Sequence, residues 1–369
     1  MLLIQTDREA LLKTLQAVTG IVERRHTLPI LSNVLIEGKG PAFSFTATDL
    51  EVQVKADTTE VKFEKDFAIT TSAKKLQDIL RSLAEGTKIT LDQQDNKVLV
   101  KAGKSRFNLQ TLPAEDFPKF NLAETSNKVI ELKQNEFKKL LNEVQFSMAQ
   151  QDIRYYLNGM LVVLRDGKIR VVATDGHRLS YAEATLENGA DINEEVIIPR
   201  KTVMELLRLL SDSEEKIAIE IGKNQIKFNF NNVTLNSKVV EGKFPDYTKV
   251  IPPTYKNIFS VDRITLLQAL QRAAILSNEK FRGVRMVLTK DSVRVISSNS
   301  EQEEAQEEVE IKYDGDPIDI GFNVSYLLDV LNNVGSQEIE CSFGDSNSSG
   351  VFTLPGNQTF KYVVMPMRI

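Results

Sequence analysis

The chain has 369 residues, 41% hydrophobic and 26% charged, with a formal net charge of −5. That balance belongs to a globular protein with a core to bury, and it excludes a disordered or fibrous chain. No apolar run approaches the roughly 20 residues that span a bilayer, and the single cysteine, Cys341, allows no internal disulfide and fits a reducing compartment. The opening Met-Leu-Leu-Ile-Gln-Thr-Asp-Arg has no signal-peptide shape, so a cytoplasmic location without membrane contact is expected.

The first periodic segment, 7–19, carries apolar residues at helical spacing. A hairpin-like pair of strands follows, turning at Gly38-Lys39-Gly40 and ending at Thr48-Asp49. The run Phe67-Ala68-Ile69-Thr70 precedes a helix over 72–84 striped by Leu76, Ile79, Leu80 and Leu83. Its spacing of i, i+3, i+4, i+7 is one buried face of an amphipathic helix. Lys88-Ile89-Thr90-Leu91 alternates as a half-buried strand does, and this stretch closes at Phe117-Pro118. After a polar linker the order begins again. A helix over 133–146 carries Phe137, Leu140, Leu141 and Val144, and strands end at Thr174-Asp175. Val196-Ile197-Ile198 then precedes a helix over 200–211 striped by Val203, Leu206, Leu207 and Leu210. The alternating strand here is Lys216-Ile217-Ala218-Ile219, and the stretch closes at Phe244-Pro245. A Pro-rich linker, Ile251-Pro252-Pro253-Thr254, leads to a third pass. That pass has a helix over 262–275, a polar pair Ser298-Asn299 and the run Ile318-Asp319-Ile320. Its second helix, over 323–334, is striped by Val324, Leu327, Leu328 and Leu331. The strand Glu338-Ile339-Glu340-Cys341 and the closing Met365-Pro366 complete it.

The same order of elements recurs about every 125 residues, which is the mark of one unit built three times over. The expected fold is α+β, with two helices packed on antiparallel sheets in each of three domains, 1-124, 128-250 and 254-369. The linkers are too short for free domain motion, so one rigid arc is expected. Cys341 reads as a small buried hydrophobe in a strand.

Catalytic and metal chemistry find little support. The two histidines, His26 and His177, belong to no cluster with zinc spacing, and there is no phosphate-binding glycine loop. Thr174-Asp175-Gly176-His177-Arg178 holds an acid and a base, but no nucleophile accompanies it, and Asp-Gly is a common turn signal. Its place in the repeat marks it as a surface turn with a binding role. No catalytic residue, cofactor or metal ligand is therefore expected.

Charge is unevenly spread. The six helical stretches hold 13 Lys and Arg against 8 Asp and Glu, a balance of +5 set against −10 elsewhere. Lys74, Lys75 and Arg81 share one helix, Arg200, Lys201 and Arg208 its repeat mate, and Lys133, Lys138 and Lys139 another. Modestly positive helices on a negative protein suit a loosely held anionic partner, and also suit an ordinary solvated face. Residues 301–310 hold six acids in ten, whereas Lys101, Lys104 and Arg106 make the matching end of the first repeat basic. Opposite charges at the two ends of an arc favour head-to-tail association. The interface candidates are Lys74, Lys104, Arg106, Phe107 and Leu109 at one end. At the other they are Ile275, Leu276, Glu301, Glu303 and Glu304.

Several longer segments carry a resemblance. Tyr155-Tyr156-Leu157-Asn158-Gly159-Met160, Ala173 to Leu179, Phe244-Pro245-Asp246-Tyr247, Ala274 to Val284 and Val363-Val364-Met365-Pro366-Met367-Arg368 resemble the bacterial DNA polymerase III beta subunits, the sliding clamps. The resemblance spans the whole chain. It implies a head-to-tail homodimer whose three clamp domains per copy close into a ring around double-stranded DNA, with helices lining the hole. It implies no catalysis, and as partners the replicative polymerase, the clamp loader, and other polymerases and repair proteins that carry clamp-binding peptides. The positions it implies for DNA contact are Arg24, Arg25, Gln151, Tyr155, Tyr156 and Lys201. It also implies a hydrophobic peptide groove. That groove comprises Leu157, Thr174, Gly176, His177, Arg178, Leu179, Pro245, Lys249, Val250, Phe281, Asn323, Tyr326, Val363, Val364, Met365, Pro366, Met367 and Arg368. Lys249 stands where the family often has arginine, and a lysine cannot make the same forked contacts.

Overall fold

The computed structural model describes residues 1–23, 27–120, 125–187 and 192–369. The first pass is β1 (Leu2–Asp7), α1 (Arg8–Val18), β2 (Asn33–Lys39), β3 (Ala42–Thr48), β4 (Val52–Thr58), β5 (Phe67–Ser72), α2 (Ala73–Ser82), β6 (Lys88–Gln94), β7 (Lys97–Ala102) and β8 (Ser105–Leu112). The second is β9 (Thr125–Lys133), α3 (Gln134–Val144), β10 (Gly159–Arg165), β11 (Lys168–Thr174), β12 (Arg178–Thr185), β13 (Glu194–Pro199), α4 (Arg200–Leu209), β14 (Lys216–Gly222), β15 (Gln225–Phe230) and β16 (Val233–Lys238). The third is β17 (Asn257–Asp262), α5 (Arg263–Ile275), β18 (Gly283–Thr289), β19 (Ser292–Ser298), β20 (Glu304–Glu310), β21 (Ile318–Asn323), α6 (Val324–Asn333), β22 (Glu338–Phe343), β23 (Gly350–Leu354) and β24 (Asn357–Val364). The threefold order is complete, but each pass opens with a strand, where the sequence reading had a helix first.

The register of the third striped helix also differs from that reading. The residue before each second helix is Ser72, Pro199 or Asn323, and each ends a strand paired with the first hairpin strand of its repeat. Leu76 therefore corresponds to Val203 and to Leu327, so the third stripe begins one residue into its helix with Val324 at the place of Ala73. A helix repeats its face every three to four residues, so an apolar stripe fits itself at either step and the sequence alone does not separate the two registers. Ser72 and Asn323 cap their helices, accepting from Lys75 N and from Ser325 N at 2.9 Å in the latter case.

The chain forms two compact units, 1–135 with 205–239, and 136–204 with 240–369. In the first, a sheet runs β1-β6-β7-β8-β5-β2-β3-β4-β16-β15-β14-β9. The second repeat enters it through the antiparallel pair β4·β16, with Val54 opposite Leu235. Leu11, Leu15 and Val18 of α1 and Leu76 and Leu80 of α2 are buried, and α1 packs on β3, β4 and α2. In the second unit, one sheet runs β13-β10-β11-β12-β24-β23-β22-β17 and another β20-β19-β18-β21. The corresponding join is β12·β24, with Leu179 opposite Val363. Strand pairing thus divides the second repeat's two sheets between the units. Cys341 is fully buried, and burial pushes its thiol pKa up. No helix among the described residues is long and apolar enough to cross a membrane.

Candidate binding groove and nucleic-acid face

The β11–β12 turn is built by its own side chains. Thr174 Oγ1 donates to Arg178 O at 2.6 Å and accepts from Gly176 N at 3.0 Å. Asp175 Oδ1 accepts from His177 N and Arg178 N. The first repeat makes the same turn with Thr48 and Asp49. Asp175 is therefore committed to holding a turn. Gly176 has φ +91, and a Cβ there would lie 3.0 Å from Arg154 Nη1, so the turn passes closely beneath that guanidinium. Arg154 donates to Asp175 O and pairs with Asp152 at 2.8 Å. The Arg154 hydrogen bonds hold the Asp152 carboxyl down to about 2. Arg154 was missed by sequence reasoning. The signal was a lone arginine just ahead of Tyr155.

Arg178 starts β12 and points inward. Its Nε donates to Asp175 at 3.0 Å, Nη1 to Asp329 of α6 at 2.5 Å, and Nη2 to Phe146 O at 2.7 Å. Its guanidinium also sits 4.4 Å from the ring centre of Tyr326. Burial works against the charge, but Tyr362, Asp329 and Asp175 outweigh it, and the pKa is raised. Tyr362, buried beside it, donates to Tyr326 O at 2.9 Å, and burial pushes its phenol well up.

The chain end lies alongside. Val364 pairs with Arg178, Met365 N donates to His177 O at 2.9 Å, and Met367 N donates to Gly321 O at 2.9 Å. Ile369 packs over Gly321 and Gly283, where an added Cβ would lie 2.8 Å and 3.1 Å from its Cδ1. Asn323 pairs with Gly283, and Arg282 O accepts from Val324 N, so Phe281, 58% exposed, stands next to the tail's seat. Of the apolar positions, Leu157, Leu179, Val363 and Val364 are core residues. Leu157, Leu179 and Val363 share one cluster with Phe244, against which Tyr247 and Ile251 pack. Pro245, Val250, Met365 and Arg368 are exposed, and Pro366, Met367 and Tyr326 half-buried. Lys249 is exposed and pairs with Asp246 at 3.2 Å. The result is a buried apolar floor beneath an adaptable rim of methionine, aromatic and charged groups.

Arg24 and Arg25 lie outside the described residues. Gln151 is exposed at φ +56 in a loop whose Ile153 is 96% exposed. Tyr155 is 57% exposed, whereas Tyr156 packs against the core cluster, and the two rings meet edge to face at 5.9 Å. Lys201 is half-buried in the first turn of α4. Tyr155→Ala is expected to leave the unfolding midpoint unchanged while weakening duplex retention. Tyr156→Ala should lower the midpoint by several degrees, since a partly buried aromatic is lost. Thermal unfolding beside a filter-binding titration separates the two.

Of the interface candidates, Lys74 on α2, Lys104 and Arg106 at the start of β8, Ile275 at the end of α5, and Glu301, Glu303 and Glu304 around the start of β20 are exposed, with Phe107 and Leu276 half-buried. Leu109 differs, because it is buried in its own sheet. Alternation along β8 turns Leu109 inward, where it lines a cleft beside α2.

Models of the three domains of the DNA polymerase III beta subunit match this chain. The N-terminal domain matches 2–122, the central domain 131–246 and the C-terminal domain 248–368. The chain belongs to the DNA polymerase III beta subunit family. The beta sliding clamp of Pseudomonas aeruginosa is 45% identical over 363 residues, which is 98% of this chain and 99% of that protein. That of Escherichia coli is 43% identical over 364 residues, with 98% and 99% covered. The solved P. aeruginosa subunit superposes at a TM-score of 0.96 with 44% identity and full coverage of both chains, as does the P. aeruginosa DnaN sliding clamp bound to griselimycin. A Caulobacter crescentus beta sliding clamp reaches 0.94 at 38% identity, again with full coverage of both chains. Sliding clamps of this family are processivity factors and not catalysts.

Proposed function

We propose that two copies of this chain join head to tail into a ring around duplex DNA, and that the ring tethers the replicative polymerase. The carrying observation is an unfinished symmetry. The first repeat joins the second through β4·β16 and the second joins the third through β12·β24. By position in the repeat, β4 and β12 correspond to β20, and β16 and β24 to β8. β20 is the terminal strand of its sheet. β8 meets β5 only at Leu112 and Thr111, so its remaining outer edge is open. β20 of one copy on β8 of the next repeats the same join a third time, and open edges of this kind are templates for pairing. Charge favours it: Arg106 and Lys104 stand at one edge, and Glu301, Glu303 and Glu304 at the other.

The three clamp domains are 1-124, 128-250 and 254-369. Gln151, Tyr155 and Lys201 contact the duplex, Arg24 and Arg25 are assigned to it by the resemblance, and Tyr156 of the same set supports Tyr155 from the core side. Screened phosphate contacts centre it, and no base contact arrests sliding. The groove around Arg178, Tyr326 and the chain end receives clamp-binding peptides of polymerases, the clamp loader and repair proteins in the cytoplasm. Loading on nicked circular DNA with clamp loader and ATP, followed by linearisation, tests the ring. Retention on the circle and loss from the linear form is expected. Equal loss from both, or equal retention with steep salt dependence, would mean binding by contact and would reject it.

A further inference from the structure

The two joins inside the chain share a second device, made by helices. At the first, Arg208 of α4 lays its guanidinium over the last turn of α1, donating to Gln16 O at 3.0 Å and Ala17 O at 2.7 Å, and Glu205 holds it in place at 2.5 Å. At the second, Asp329 of α6 holds Arg178, which donates to Phe146 O just past the end of α3. With Ser72, Pro199 and Asn323 in register, Glu205 and Asp329 occupy one position of the repeat. That position in the first repeat is Asp78. Arg81 follows it three residues on, as Arg208 follows Glu205. A cation at a helix C-terminus answers both the dipole and the unpaired carbonyls.

Asp78 and Arg81 are exposed on α2 and line a cleft of about 920 Å³ beside the open edge of β8. The helix end that completes the series is that of α5, where Ile275 stands 76% exposed at the position of Gly20 and Phe146. Within its own chain that end receives Ser277 Oγ on Ala274 O and Ser297 Oγ on Ala273 O, while Arg282 reaches Ala274 O only at 3.5 Å. We propose that Arg81, oriented by Asp78, enters the last turn of α5 in a second copy of this chain and thereby locks the ring joint. Arg81 is then a ring-closing residue as well as part of the basic helix surface. The inference rests on the head-to-tail reading, because it fixes which helix of each copy meets which.

Sedimentation equilibrium tests it, with Arg81→Ala, Arg81→Lys, Asp78→Asn and Arg282→Ala measured beside the parent chain. Arg81→Ala should raise the dimer dissociation constant at least about ten-fold, the scale of a charge-assisted hydrogen bond. Arg81→Lys should recover part of this, Asp78→Asn should weaken the joint less, and Arg282→Ala should leave it unchanged. Because Arg81 is exposed, an unchanged far-ultraviolet circular dichroism spectrum, and an unchanged thermal midpoint at a concentration where parent and variants are monomeric, will show that the monomer fold is intact. Geometry is read separately with Gln271, the α5 residue at the position of Gln16, by mixing Arg81→Cys chains with Gln271→Cys chains above the dissociation constant and adding a short bismaleimide. Buried Cys341 gives little background. Crosslinked dimer from the mixture, but from neither parent alone, is expected. A dimeric parent with unaltered affinity in Arg81→Ala, or no crosslink from the mixture, overturns the role of Arg81 and leaves the ring standing. A parent chain that is monomeric throughout overturns the ring itself.

Discussion

Arg178→Ala is expected to cost about 3 kcal/mol of stability in the unit formed by 136–204 and 240–369, the low end for breaking a buried ion pair. The side chain is 10% exposed and answers three acceptors in three directions. Removing it leaves Asp175 without its charged partner, leaves Phe146 O without its donor, and strips Tyr326 of the cation on its ring. Asp329 is 41% exposed and can recover water, which is why the upper end of the range does not apply. Arg178→Lys should recover little, because one ammonium cannot fork among Asp175, Asp329 and a carbonyl. Urea unfolding followed by far-ultraviolet circular dichroism measures it. A loss below about 1 kcal/mol would show that the contacts around Arg178 are individually dispensable. Peptide affinity should fall together with stability in this variant, since the guanidinium ties β12, which carries the groove turn, to α6, which carries Tyr326.

The fate of Arg178 also shows where sequence reasoning stopped. The repeat was legible because apolar spacing and the polar turn pairs are local signals, and Thr48, Thr174 and Ser298 lie at near-equal intervals. The strand ahead of the first helix was not legible, since Leu2–Asp7 is too short to display a period before the helix begins, and β9 starts within the stretch that reads as a polar linker. Arg178 was expected to line a binding groove, and its side chain is spent on contacts inside the protein. Only tertiary structure brings Asp329 and Phe146 to it from distant segments. The chain end is plainly apolar in the sequence, but its seat is invisible there. What makes that seat is the missing Cβ at Gly283 and Gly321, and a glycine in a strand gives no sign of what lies against it.

That seat carries the other large effect. Gly321→Ala is expected to lift the chain end from β21 and to reduce peptide affinity as far as deletion of residues 365–369 does, by at least about ten-fold, or 1.4 kcal/mol. The added Cβ would lie 2.4 Å from Met367 O, which is backbone, besides 2.8 Å from Ile369 Cδ1. A side chain can turn aside from such an approach, but a backbone carbonyl moves only if the segment moves, and with it goes the bond from Met367 N to Gly321 O. Gly283→Ala meets only the flexible Ile369 side chain, at 3.1 Å, so its effect should be several-fold smaller. For the same reason Ile369→Ala should rescue Gly283→Ala and should not rescue Gly321→Ala. The fold itself should survive in all of them, because β24 remains paired with β12 and Met365 N remains on His177 O. Fluorescence polarisation with a labelled clamp-binding peptide reads the affinity, and thermal unfolding reads the fold. If Gly321→Ala binds the peptide as the parent does while the deletion does not, then Met365 alone forms the wall, held by β24. In that case the seat of Ile369 has no part in binding.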